Sequence, residues 1–287
     1  MLEMQNALYI VPTPIGNRED ITVRACEVLK MADVICAEDT RHSLPLLESI
    51  GVKSPKLISF HDHNEAEKAD RITAIIEEGN SVALISDAGT PMVSDPGYHL
   101  VAACVQKGIK VYPLPGPCAA ITALCASGMP SDRFSFEGFL PVKEKALRDK
   151  LASLVTEERT MIFYEAPRRI FDTAKILAEV FGDRRVMVAR ELTKTFETKY
   201  YTTCDRLGEV LNEDPNVLKG EMVIVLAPYR KKDEDETVTA EAKKMMELLS
   251  GELPPKKVCS LVAKMYDLRK NELYDYLLNH TDASDGV

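Results

Sequence analysis

The chain has 287 residues, 45% hydrophobic and 28% charged, and its 36 Lys and Arg against 45 Asp and Glu give a formal net charge of −9. That composition fits a globular chain of one large or two modest domains whose cores need no staples, and it argues against an indiscriminate binder of nucleic acid. The first residues, Met1-Leu2-Glu3-Met4-Gln5-Asn6, lack a basic, apolar leader, and no run of about 18 apolar residues occurs, so the expectation is a cytoplasmic protein with no membrane partner.

From residue 7 to about 116, short apolar runs alternate with amphipathic segments. Residues 7–12, 33–37, 56–60, 81–86 and 109–114 are rich in Val, Ile, Leu and Tyr and bounded by turn residues, which predicts five strands. Ile21, Ala25, Val28, Leu29 and Ala32 recur at helical spacing, as do Ala69, Ile72, Ile75 and Ile76, and predict one-faced helices between strands. Alternation of this kind implies right-handed crossovers and a mainly parallel sheet, because each helix covers the sheet it has just left. A second region, 117–228, is predicted to hold helices at 118–127, near 168–181 and near 205–213, with strands at 133–140, 161–164, 186–192, 198–203 and 222–226. The short connection between 186–192 and 198–203 predicts an antiparallel pair, and hence a mixed sheet. Residues 229–236 have no apolar face and read as a linker. Beyond them Val258, Leu261, Val262 and Met265 mark one short helix, and Leu273, Tyr276 and Leu277 mark another; residues 282–287 are expected to fray. The expected architecture is α/β: a mainly parallel domain over 1–116, a mixed-sheet domain over 117–228, and a linker with a small helical appendage over 229–287. Seven cysteines, an odd number without a Cys-x-x-Cys pair, read as reduced core thiols.

No two of the 14 glycines are separated by a single residue, so a GxGxxG dinucleotide loop is absent; GK[ST], GxSxG and HExxH are absent as well. An α/β chain without these loops still binds ligands at the carboxyl ends of its parallel strands. Three such ends carry Pro/Gly loops: Pro12-Thr13-Pro14-Ile15-Gly16-Asn17, the stretch from Ser86-Asp87-Ala88-Gly89-Thr90-Pro91 to Ser94-Asp95-Pro96-Gly97, and Pro113-Leu114-Pro115-Gly116-Pro117. Proline fixes φ and glycine admits positive φ, so these loops are stiff and present bare backbone to a ligand. One of them alone is an ordinary turn, but three at successive strand ends predict a cleft.

The second strand ends in Ala37-Glu38-Asp39-Thr40-Arg41-His42 and the third in His61-Asp62-His63-Asn64. Thr40 or Asn64 could cap a helix, whereas adjacent carboxylates with Arg and His can orient a hydroxyl or accept its proton. His61 and His63 could form a metal pair, but five His in the whole chain leave few further ligands, and no metal is expected. In the second region Phe163-Tyr164-Glu165-Ala166-Pro167-Arg168-Arg169 offers an aromatic face and two guanidinium forks; a Pro-initiated helix with solvated arginines is the plain alternative.

Taken together, the stretches at 8–17, 37–41, 60–65, 86–97 and 164–169 resemble the class III, tetrapyrrole-methylase-like methyltransferases, and among them those acting on small-subunit ribosomal RNA. The resemblance covers about residues 7–228, and 254–280 resembles the helix-turn-helix-like appendage of that group; Asp62 stands where Glu is more usual. It implies two α/β domains with S-adenosylmethionine folded in the cleft between them, a homodimer, and 2′-O-methylation of a cytidine ribose in the decoding region of the small ribosomal subunit. It carries cofactor contacts onto Pro12, Thr13, Pro14, Ile15, Gly16, Asp87, Ala88, Gly89, Thr90, Pro91, Pro115 and Gly116, with Tyr164 closing over the adenine.

A sulfonium methyl group is already electrophilic, so the protein has to align a hydroxyl, exclude water and remove a proton. Glu38, Asp39 and His61 are the candidate bases, with Arg41 orienting the carboxylates or holding a phosphate. Arg168, Arg169, Lys256, Lys257, Lys264, Arg269 and Lys270 are the expected RNA contacts. The acidic excess lies mainly in residues 1–116, whereas 254–270 carry five Lys and Arg against Asp267, a local field that suits a phosphate backbone. Rival readings are a methylase of a small tetrapyrrole precursor, a non-catalytic RNA-binding assembly factor and, last, a hydrolase with a metal at His61 and His63.

Overall fold

The computed structural model describes residues 4–61, 65–230 and 238–281, and its first half alternates as the pattern predicts. Strands β1 (Leu8–Ile10), β2 (Val34–Ala37), β3 (Leu57–Ser59), β4 (Val82–Ile85) and β5 (Val111–Pro113) are separated by helices α1 (Val23–Met31), α2 (Thr40–Ser49), α3 (Glu65–Glu77) and α4 (Tyr98–Gln106). They form one sheet in the order β3-β2-β4-β1-β5, with every neighbouring pair parallel. Every residue of β2 and β4 is buried, because helices cover both faces of the sheet. The pleat sorts the side chains: Tyr9, Ile35, Ala83 and Ile85 pack with Val28 and Leu29 of α1 and Leu47 of α2. Leu8, Ile10, Val34 and Leu84 point the other way, onto Ile72 and Ile76 of α3 and Leu100 of α4. Since β4 enters between β2 and β1, the carboxyl ends of β4, β1 and β5 lie side by side.

The helix starts are fixed by side chains. Thr22 caps α1, accepting from the Ala25 N–H at 3.0 Å. Asp39 rather than Thr40 caps α2: its carboxylate accepts from the Arg41 N–H at 2.9 Å, and Thr40 is already helical. Asp62, His63 and Asn64 lie outside the described residues. Helix α4 begins after Gly97 without a cap of its own. Glu65, buried at the start of α3, accepts the N–H groups of Gly97 at 2.9 Å and His99 at 2.7 Å instead. A carboxylate at the positive end of a helix dipole is favourable there, and this one also pins the loop that leads into α4.

The second sheet contains β6 (Phe134–Phe139), β7 (Thr160–Glu165), β8 (Arg185–Arg190), β9 (Thr198–Thr203) and β10 (Met222–Leu226), in the order β6-β7-β10-β8-β9. It is mixed: β6 and β7 are parallel and the other pairs antiparallel, including the expected β8–β9 pair. One face is covered by α6 (Glu144–Ala152), which forms from the basic stretch, and by α7 (Ile170–Phe181) and α8 (Leu207–Asn212). The other face, with Ile162, Met187, Ala189, Val223 and Val225, packs on α5 (Ala119–Ser127) and on Ile15 from the loop after β1. Ile15 therefore joins the two sheets.

From Arg230 onward the chain is a separate compact unit. In it α9 (Ala240–Ser250), α10 (Pro255–Tyr266) and α11 (Lys270–Thr281) enclose Val238, Ala242, Met246, Val258, Cys259, Val262 and Leu273. Helix α9 is not among the elements expected from sequence. The buried stripe of α10 also differs, because α9 and α11 both pack on it: Cys259 turns inward, whereas Leu261 and Met265 are 40% and 61% exposed. Residues 231–237 of the expected linker and the tail 282–287 lie outside the described residues. All seven cysteines are free; Cys36, Cys104, Cys204 and Cys259 are buried and Cys125 is exposed. Burial pushes the Cys36 thiol up to about 12. Among the described residues no helix is long and apolar enough to cross a membrane.

Truncating Glu65 leaves two N–H groups at the head of α4 unsatisfied. Glu65→Ala is expected to lower the unfolding free energy by about 2 kcal/mol, with Glu65→Gln recovering part of the loss because its amide oxygen still accepts. Urea denaturation midpoints equal to wild type in both variants would contradict this role.

Candidate active site

The loops after β1, β4 and β5 converge. Thr13 and Gly89 exchange backbone hydrogen bonds, Thr13 N–H to Gly89 O at 2.9 Å and Gly89 N–H to Thr13 O at 3.0 Å. The Thr13 hydroxyl donates to Ser86 O at 3.2 Å and the Thr90 hydroxyl to Pro117 O at 2.8 Å. Gly116 lies so close to Pro12 that a Cβ added to it would fall 2.6 Å from the proline ring carbon. Along 86–97 the backbone takes left-handed values at Met92 (φ 71°) and Ser94 (φ 66°), which L-residues adopt at a cost and which recur at ligand loops. The same loop meets the second sheet where β6 shifts register: Gly138 (φ 69°) approaches Ser94 there. On the other side Asn17 N–H donates to Thr193 Oγ1 at 3.0 Å, and Gly16 abuts Lys194 with no room for a Cβ.

Between these loops and the second sheet lies a cavity of about 500 Å³, within the range of cofactor pockets. Its floor is apolar, from Ile15, Leu192, Met222 and Val223, while Glu38, Asp87, Thr90 and Tyr164 bring polar groups to the wall. Tyr164 is braced edge-on by Phe136 and Phe139, with ring centroids 4.9 and 5.4 Å away. Burial raises its phenol above the ordinary range. Next to it Glu165, 2% exposed, accepts from the Ala166 N–H at 2.7 Å, Arg169 Nε at 2.7 Å and the Thr173 hydroxyl at 2.6 Å. Arg169 also donates to Leu140 O at 2.8 Å. The buried carboxylate is thus satisfied from several sides, as a buried charge must be, and it fixes the turn that follows β7.

The sequence-derived site residues divide clearly. Ile15, Asp87, Ala88, Gly89, Thr90 and Tyr164 line the cavity, and so does Glu38. Thr13 is buried and uses its hydroxyl inside the rim; Pro12 and Gly116 hold each other, Pro91 is buried, and Pro115 is exposed. Pro14, Gly16 and Arg41 face a neighbouring hollow. Asp39 is gripped by Arg41, Nε to Oδ1 at 3.1 Å and Nη2 to Oδ2 at 2.8 Å, which holds its carboxyl well below the usual carboxylate range. Asp87 accepts the Asp39 N–H at 3.0 Å. His61 follows β3 and is outside the cavity wall. Arg168 is exposed, whereas Arg169 is committed to Glu165. Lys256, Lys257, Lys264, Arg269 and Lys270 are all exposed on the separate helical unit.

Missing from the sequence-derived set are Phe139, Leu192, Glu221, Met222 and Val223, which line the cavity but read in sequence as ordinary strand or loop residues. Glu165 had one usable signal, an arginine four residues on, the spacing of a helical ion pair. Among the described residues no three His, Cys, Asp or Glu are grouped to hold a metal, and His63 is outside them.

The profile of the tetrapyrrole (corrin/porphyrin) methylases matches residues 7–208, and that of the RsmI C-terminal HTH domain matches residues 236–281. In fold the chain is similar to the methyltransferase CobJ, with a TM-score of 0.58 at 19% identity over 79% of this chain and 96% of that one. It is likewise similar to the cobalt precorrin-4 methyltransferase of cobalamin biosynthesis, with a TM-score of 0.56 at 19% identity over 77% and 95%. Fold and cavity thus define a methyltransferase of the tetrapyrrole-methylase type, whose methyl donor is S-adenosylmethionine. The sequence relatives are more specific. Ribosomal RNA small subunit methyltransferase I of Haemophilus influenzae is 51% identical over 98% of this chain and all of that protein, and its namesake in Vibrio cholerae is 52% identical over 95% and 94%. The chain belongs to the ribosomal RNA small subunit methyltransferase I family.

The residues present suit that donor: an apolar floor and an aromatic edge for a nucleoside, and Glu38, Asp87 and Thr90 in the wall for its polar groups. Because Gly116 has no space for a side chain beside Pro12, Gly116→Ala is expected to spread the rim and weaken S-adenosylmethionine binding on the order of tenfold by calorimetry. Wild-type affinity in that variant would mean the rim does not shape the pocket.

Proposed function

We propose that this chain transfers a methyl group from S-adenosylmethionine to the 2′-hydroxyl of a cytidine in the decoding region of small-subunit (16S) ribosomal RNA, as a homodimer in the cytoplasm. Full-length relatives at about half identity support an rRNA substrate over a tetrapyrrole precursor. In this reading 1–116 and 117–228 act as two domains closing on the cofactor. The observation that carries the chemistry is Glu38, a carboxylate in the cavity wall together with the Asp87–Thr90 loop.

When bound, S-adenosylmethionine supplies an electrophilic sulfonium methyl. The chain must then hold a ribose hydroxyl in line with that methyl, keep water out and take the proton. Glu38 accepts the hydroxyl proton as the ribose oxygen bonds the methyl carbon; the carbon–sulfur bond would break in the same step, its electron pair going to sulfur and S-adenosylhomocysteine leaving. Asp39 is a poor base, because Arg41 and its own helix hold it anionic; with Arg41 it positions the turn that carries Glu38. His61, away from the wall, is assigned no proton transfer. Arg168 and the exposed cations of α10 and the turn into α11 hold the RNA, while Arg169 keeps the β7 turn in place.

Glu38→Gln is expected to slow single-turnover methyl transfer by roughly 10²–10⁴-fold with the cofactor saturating. His61→Gln is expected to stay near the wild-type rate, and the opposite ranking would move the base to His61. Deleting residues 230–287 is expected to weaken rRNA binding and flatten its salt dependence; unchanged affinity and slope would remove the tail from the RNA contacts.

A further inference from the structure

We propose that a second cavity, beside the cofactor pocket, binds a phosphate of the RNA strand next to the ribose being methylated; this rests on the functional reading above and deepens it. The hollow encloses about 450 Å³ and shares Ile15, Asp87, Ala88 and Glu221 with the cofactor cavity, so one strand can lie across both. It is built from the segments after β1, β2 and β4, with Lys194 from the loop after β8 and Glu221 from just before β10.

Its charged lining consists of Arg18, Arg41, His42 and Lys194 against Asp87 and Glu221. The acids already have donors. Asp87 accepts the Asp39 N–H at 3.0 Å and stands 3.8 Å from His42 Nδ1, and Glu221 pairs with Lys194 at 3.3 Å. Arg41 is held by Asp39 in one orientation while its side chain remains 90% exposed. Arg18 is exposed and makes no ion pair among the described residues. An incoming anion therefore meets the exposed guanidinium of Arg18, the outer edge of the Arg41 guanidinium that Asp39 does not grip, and the His42 imidazole.

Ser43 is the second, independent sign. It lies in the wall of the hollow, is 4% exposed, and its hydroxyl has no hydrogen-bond partner. A buried donor without an acceptor is costly and uncommon in a native fold. A phosphate oxygen is the acceptor it lacks, and guanidinium forks with a hydroxyl are a phosphate-binding set. Continuity with the methyl-transfer cavity favours a phosphodiester of the substrate strand over a free anion.

The test uses the full-length protein, small ribosomal subunits from cells lacking this chain, and the variants Arg18→Gln and Ser43→Ala. Arg18→Gln is expected to raise KM for the subunit about tenfold and to lower the salt slope of binding to an rRNA fragment by about one counterion; Ser43→Ala is expected to raise KM about threefold. Calorimetric affinity for S-adenosylmethionine is expected to be unchanged in both, which confirms intact folds. Unchanged KM and salt slope in the two variants, beside an active wild type, would overturn this proposal alone. Inorganic phosphate binding as tightly as the rRNA fragment, and lost in the same variants, would make the hollow a free-anion site and also overturn it. A wild-type protein that transfers no methyl group to the subunit would overturn the functional reading, and this proposal with it.

Discussion

The backbone bridge between Thr13 and Gly89 is the contact on which the site depends. Strands β1 and β4 are neighbours only because the chain inserts β4 between β2 and β1, and the bridge extends their pairing past the strand ends into the loops. Two further contacts, Thr90 to Pro117 and Pro12 against Gly116, bind the loop after β5 to the same rim. Loops made stiff by proline and held at three points have little conformational entropy left to lose when a ligand arrives. The bridge also directs Ile15 onto the apolar face of the second sheet, so the segment that shapes the rim also joins the two sheets whose gap is the pocket.

The negative charge of the chain is used in fixed places. Asp39 caps α2 and grips Arg41, Glu65 caps α4 from another helix, and Glu165 holds the turn after β7 through Arg169 and Thr173. Each of these acids positions backbone that borders the site, and each already has its donors. The exposed cations include Arg18, Arg41 and Arg168 in the body and five more on the helical unit. An excess of acid overall and a site for a polyanion are compatible, because a phosphate responds to local fields.

Much of this was legible in the sequence because it is written in short-range patterns. Strand–helix alternation predicts the parallel sheet, the brief gap before Thr198–Thr203 predicts its pairing with β8, and three Pro/Gly loops at successive strand ends predict a cleft at that edge. Contacts between distant residues were not legible. Glu65 reaches Gly97 and His99 across more than thirty residues, and no spacing rule marks it as their cap. Asp39 looks like a catalytic carboxylate in a string of polar residues; only its geometry shows a helix cap already bound by Arg41. The arginine pair at 168–169 looks like one basic patch, yet one guanidinium points outward and the other into Glu165. In α10 the expected stripe is displaced because two helices, rather than one, cover it.

In the function we propose, the pocket between the two sheets methylates a ribose of the small-subunit RNA. Mapping ribose methylation along 16S rRNA from cells with and without this chain tests it most directly. A single 2′-O-methylated cytidine in the decoding region is expected to disappear when the chain is removed and to return when it is supplied again. An unchanged ribose-methylation map in the cells that lack it would rule out this function.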